Sequence, residues 1–129
     1  MNIIREACVG SVEQAMIAEK RKADRVELCS RLDLDGLTPD RNIIERTMNL
    51  LSIPVKVMIR PKSGNFIYSN QDILKMEAEI DFCKKIGVSE VVFGILNENS
   101  EVDIELTSAI AKKAAPMDIT FHKAIDHVN

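Results

Sequence analysis

Val55-Lys56-Val57-Met58-Ile59-Arg60 decides the fold. Its odd positions are branched and apolar, while its even positions are Lys, Met and Arg; successive side chains of a strand point to opposite faces. The same two-sided text recurs upstream, where Val26 and Leu28 oppose Arg25, Glu27 and Cys29. It recurs downstream, where Met117, Ile119 and Phe121 oppose Asp118, Thr120 and His122. A doubly wound sheet, covered by helices on both sides, has strands that are apolar throughout. These strands need helices on one side only, and their other side lines a polar interior. That is the arrangement of a β/α barrel with its site at the carboxyl ends of the strands.

Working outward from this segment, strand and helix alternate along the whole chain. Ile3 to Cys8 reads as a first strand, and Ser11 caps a helix running to about Lys22 through Val12, Ala15, Met16 and Glu19. Arg25 to Cys29 is the second strand. Asp35-Gly36 signals a turn, and Thr38-Pro39 reads as the cap and first residue of a helix buried along Ile43, Ile44, Thr47, Met48 and Leu51. After the third strand, Pro61-Lys62-Ser63-Gly64-Asn65 opens a long loop to about Ser69. Ile73, Met76, Ile80 and Cys83 then repeat at helical spacing, and Gly87 suits the end of that helix. Glu90 to Phe93 is a fourth strand, Asp103 to about Ala115 a fourth helix, and Met117 to His122 a fifth strand. The strand-end positions Cys8, Cys29, Arg60, Gly94 and His122 are 21, 31, 34 and 28 residues apart, close to the ~31 residues per unit of an eightfold barrel. The expectation is a single α/β domain over residues 1–129, forming the first five strands and four helices of a (β/α)8 TIM-type barrel. The closing strands are absent. Its first and fifth strands are then open edges, so either the chain is the front part of a longer barrel or half-barrels pair as a homo-oligomer.

Composition narrows the function classes. The 129 residues are 46% hydrophobic and 29% charged with a net charge of −3, which is ordinary for a globular domain and gives no electrostatic case for nucleic acid or an anionic membrane. With one Tyr, four Phe and no Trp, the core is aliphatic. Charge arrives at Arg5 and Glu6, too early for a secretory leader, and no apolar run approaches the ~20 residues of a membrane span. A cytoplasmic location follows as the expectation. Three cysteines without a tight framework then read as reduced thiols.

One pattern stands out: Glu6-Ala7-Cys8 and Glu27-Leu28-Cys29 write Glu-x-Cys twice, twenty-one residues apart, each at the end of a strand. Together with Ala23-Asp24-Arg25-Val26-Glu27-Leu28-Cys29, Gly36-Leu37-Thr38-Pro39, Met58-Ile59-Arg60-Pro61, Gly64-Asn65-Phe66-Ile67-Tyr68-Ser69 and Thr120-Phe121-His122-Lys123-Ala124, it resembles the CutC copper-homeostasis family, in order from end to end. The choline lyase that shares the name is unrelated. The resemblance implies a (β/α)8 barrel, a cytoplasmic location and a role in copper handling through cysteine thiolates. Asp35 stands where the family pattern carries glycine, Lys62 and Asn65 where Arg and Asp are usual, and Lys123 and Ile125 where Arg and Phe are common. Lys in place of Arg weakens bidentate anion recognition more than it affects the fold.

Two chemistries compete for the strand ends. Cys8 and Cys29, level with one another at equivalent ends of adjacent strands, would place two sulfurs close enough for a soft monovalent ion such as Cu(I), the cofactor the resemblance implies. On spacing alone each is a small buried hydrophobe; the duplicated pattern and the resemblance add the metal reading, against which Glu6 and Glu27 oppose thiolate formation by their charge. Cys83 lies on the apolar face of a helix and reads as structural. The alternative is a barrel enzyme acting on a small anionic ligand: Arg60 as the anion clamp, His122 as proton carrier, and Glu27 or Asp126 as base or orienting group. Arg25 and Lys56 are expected to neutralise Glu6 and Glu27 inside the barrel. Gly64 to Tyr68 reads as an aromatic lid over the site.

Overall fold

Five short strands lie side by side in chain order, all parallel, in the computed structural model, which describes residues 2–129. They are β1 (Glu6–Val9), β2 (Arg25–Leu28), β3 (Val55–Met58), β4 (Glu90–Phe93) and β5 (Asp118–Phe121). The connecting helices are α1 (Val12–Lys20), α2 (Arg41–Leu50), α3 (Asn70–Ile86) and α4 (Ile104–Ala114), with 3-10 turns at Leu32–Leu34 and Lys123–His127. Sequential order without a crossover is the topology of a β/α barrel wall, here five strands wide. Its edges are β1 and β5, and Ile119 on the outer face of β5 is 42% exposed.

The two faces divide as the alternation requires. Val26, Leu28, Val57, Ile59, Val91 and Phe93 are buried against Ile44 of α2, Met76, Ile80 and Cys83 of α3 and Ile110 of α4, in one aliphatic core. The opposite face is layered from bottom to mouth. Glu6, Arg25, Lys56 and Glu90 form an ion network at the bottom. Cys29, Met58 and Val92 are a small buried cluster above it. Arg60, Gly94 and His122 stand at the strand ends.

Register is where the structure departs from expectation. Glu6 lies opposite Arg25 and Cys8 opposite Glu27, so the two Glu-x-Cys stretches are offset by two residues from level pairing. A two-residue slip keeps every side chain on its own face, so burial does not select it; charge does. Arg25 Nε donates to Glu6 Oε1 at 2.6 Å, and the Asp24 carboxylate accepts from the Arg5 backbone N–H at 2.7 Å. Strand pairing fails before Arg5, leaving Ile3 79% and Ile4 60% exposed instead of within β1.

Caps fix the helices. Ser11 caps α1 through the Gln14 N–H, Ser69 and Asp72 form a reciprocal capping box on α3, and Asp103 caps α4. Gly87 closes α3 at φ +87°, the left-handed turn for which glycine is suited. α2 starts at Arg41 with Asp40 as its cap, not at Thr38-Pro39. Thr38 is held elsewhere: its hydroxyl accepts from the Arg60 N–H at 2.8 Å and its own N–H donates to the Arg60 carbonyl at 3.0 Å. Met16, expected on the buried face of α1, is 48% exposed.

Candidate metal centre and strand-end cavities

Cys8 and Cys29 come together across β1 and β2, on a diagonal and not at the same level. Their sulfurs are 4.0 Å apart, and Glu27 Oε1 lies 3.8 Å from Cys8 Sγ and 3.6 Å from Cys29 Sγ. Among the described residues this is the one group of three His, Cys, Asp or Glu donors close enough to share an ion. A point equidistant from the three atoms lies about 2.2 Å from each, within the ~2.0–2.3 Å range of metal bonds to thiolate and carboxylate. The spacing of the three donors therefore suits a three-coordinate ion.

Burial and charge act on the thiols in the same direction. Cys29 is 2% exposed; burial, then Cys8 and the Glu27 carboxylate, push its pKa far above the ordinary thiol range. Cys8 is exposed to the cavity, and its pKa is also raised, by burial first and by Glu27 next. Both are thiols at neutral pH, so a metal must displace their protons. Cys83, fully buried among the helices, is pushed up to about 12 by burial and takes no part. Gly36, at φ +91°, covers Cys29: a Cβ there would sit 3.3 Å from its sulfur.

The ion network differs from the expected one. Lys56 Nζ bonds Glu6 at 3.0 Å and Glu90 at 2.8 Å, and Thr120 donates to Glu90. Glu27 has no basic partner among the described residues. Arg25 and Lys56 thus neutralise Glu6 and Glu90, leaving Glu27 to the thiols. The sequence signal for Glu90 was its place two residues before Val92 on the inner face of β4.

A cavity of about 380 Å³ opens above the sulfurs, walled by Cys8, Glu27, Met58, Arg60, Phe66 and His122. Arg60 is 3% exposed, and its guanidinium donates to the carbonyls of Leu34, Gly36 and Gly64 at 2.7, 3.1 and 2.9 Å. Its Cζ lies over the Phe66 ring, 5.0 Å from the ring centre. Phe66 is the part of the expected lid that reaches the site; Tyr68 packs on the main core. Asp126 is exposed on the last 3-10 turn and does not line this cavity.

His122 is fixed by its neighbours. Nδ1 accepts from the Ala124 N–H at 3.1 Å, which places the ring proton on Nε2, a buried atom without a protein partner. Gly94 makes the room: a Cβ there would stand 2.6 Å from His122 Cε1 and Nδ1. Burial, then the Arg60 charge, lower the His122 pKa to about 4. The unfolded chain binds this proton near pH 6.5 and the folded chain only near pH 4, so stability falls as pH drops through that window. The loss reaches about 2–3 kcal/mol by pH 4.5. Urea unfolding at pH 7 and pH 4.5 is expected to show a smaller loss for His122→Asn, which keeps a capping acceptor; equal losses would contradict the assignment.

A parallel β/α wall with two thiols and a carboxylate converging at the strand ends defines a TIM-type barrel protein with a candidate soft-metal centre. The comparisons agree with this fold and narrow it to a family. The CutC family model matches residues 3–129, and the chain belongs to that family. It is 42% identical over 126 residues to the copper homeostasis protein cutC homolog of Homo sapiens, covering 98% of this chain and 46% of that protein. To family protein CutC of Glaesserella parasuis it is 40% identical over 121 residues, 94% of this chain and 50% of the other. The solved structure of the CutC protein from Streptococcus agalactiae superposes with a TM-score of 0.93 at 31% identity, over 99% of this chain and 62% of that one. The chain spans about half the length of the curated relatives it matches.

Proposed function

We propose that this chain is the amino-terminal part of a single barrel domain in a copper-homeostasis protein, and that it binds Cu(I) between Cys8 and Cys29 in the cytoplasm. The observation that carries the reading is the triangle of two sulfurs and Glu27 Oε1, with its centre at bonding distance from all three. Two thiolates suit a soft ion, and the carboxylate is the weaker third donor. A reducing compartment keeps such a close thiol pair available. Strands β1 and β5 are the edges of the described wall, and pairing with further strands, of the same barrel or of a second copy, covers them.

Titration against a Cu(I) chelator at pH 6.5, 7.0 and 7.5 tests this. One ion per chain is expected, with affinity rising up to about 100-fold per pH unit because two raised thiol pKa values mean two displaced protons. An affinity independent of pH would remove the thiols from the site. The enzyme reading has less support: Glu27 stands with the thiols, His122 is neutral, and Asp126 is outside the cavity.

A further inference from the structure

A second cavity, of about 420 Å³, opens on the barrel mouth and shares Asp35, Arg60, Phe66 and Lys123 with the thiol cavity. We propose that it binds a small organic anion, a carboxylate or phosphate head on a short body, independently of the metal centre. Its volume is in the range of small-ligand sites, and its lining is rich in donors.

Arg60 is the first argument. A guanidinium this deeply buried is normally paired with a carboxylate, because an uncompensated internal charge is costly. Among the described residues Arg60 has no such partner; its contacts are three neutral carbonyls and an aromatic face. The rest of the lining repeats the bias. Lys123 and His127 add two basic groups against one carboxylate, Asp35, which Lys123 contacts at 2.9 Å. The Asn97 side-chain oxygen accepts from the N–H groups of Asn99 and Glu101 at 2.9 and 3.1 Å. The Asn65 oxygen accepts from the Ile67 N–H at 3.2 Å. Each amide therefore turns its acceptor into its own loop and leaves its NH2 group as a donor. Ser100 and Asp35 hold left-handed backbone at φ +58° and +68°, conformations that cost non-glycine residues energy and gather at ligand sites. Phe66, Ile67 and Leu96 supply the apolar side for a short carbon body.

The test follows amide resonances of the labelled protein during addition of glycerol phosphate, malate or, as the neutral control, glycerol. Shifts are expected at residues 64–67, 97–100 and 123–127 with at least one of the anions and not with glycerol; which anion acts identifies the head group. Asn97→Asp keeps the oxygen that holds its loop but replaces the donor with a negative charge. It is expected to weaken binding at least about 10-fold, as is Lys123→Gln at an exposed position. Cys8→Ser should bind the anion like the wild type, which separates this site from the metal reading. Shifts no larger than those of glycerol, or wild-type binding by both Asn97→Asp and Lys123→Gln, would overturn the proposal.

Discussion

Cu(I) affinity is expected to fall by at least about 100-fold in Cys8→Ser and in Cys29→Ser, beyond the 10–100-fold typical of losing a mere supporting partner. Each replacement exchanges one of two soft donors for a hydroxyl, a poor ligand for a soft ion. The remaining sulfur, 4.0 Å away in the wild type, cannot complete the coordination alone. Glu27→Gln should have a milder effect because two changes oppose each other. It removes the third donor, but it also removes a charge that raises both thiol pKa values, which eases proton release. Cys83→Ser, whose sulfur is sealed in the helix-facing core, should leave affinity unchanged. Chelator competition on the four variants reads the result. Near-equal affinity in all of them would place the ion elsewhere.

Lys56→Met is expected to destabilise the fold by about 2–4 kcal/mol, the scale for breaking one side of a largely buried ion pair. The Lys56 side chain is 6% exposed, and its partners Glu6 and Glu90 are 26% and 17% exposed. Burial pulls the Lys56 pKa down, but the bonds to Glu90 and Glu6 outweigh it and leave the pKa raised. The stabilisation therefore holds through neutral pH and is lost only as pH rises past that raised value. Without the ammonium, Glu6 keeps Arg25, whereas Glu90 keeps only the Thr120 hydroxyl. Adding Glu90→Gln to Lys56→Met should then restore part of the loss, since a neutral amide tolerates the site better than an unpaired carboxylate. Denaturant unfolding at pH 7 measures both steps. A single variant as stable as the wild type, or a double variant no better than the single, would show that the network carries little stability.

The faces of β2, β3 and β5 were legible because a period of two is written into each of them, as in Val26 and Leu28 or Val57 and Ile59. Register was not, for the same reason: a slip of two residues preserves that period. The level pairing of Cys8 with Cys29 gave way to Cys8 with Glu27, and the expected partnership of Glu27 with Arg25 and Lys56 went with it. The α2 start was misplaced because a Thr-Pro pair is a sound local cap signal, while the hydrogen bonds between Thr38 and Arg60 are made across 22 residues. Arg60 and His122 were readable as strand-end residues. The Arg60 bonds to Leu34 and Gly36 reach across 26 and 24 residues, which no local pattern specifies.

The two sulfurs are unequal in access, and that gives the pair a direction. Cys8 faces the open cavity, whereas Cys29, one layer nearer the strand ends, is shut off by Gly36 and seated beside Met58 and Val92. Were a soft ion held between the two sulfurs, an incoming thiol would reach Cys8 first, since Cys29 is 2% exposed. Alkylating reagents and oxidants meet the same difference, with Cys8 open to them and Cys29 shut off.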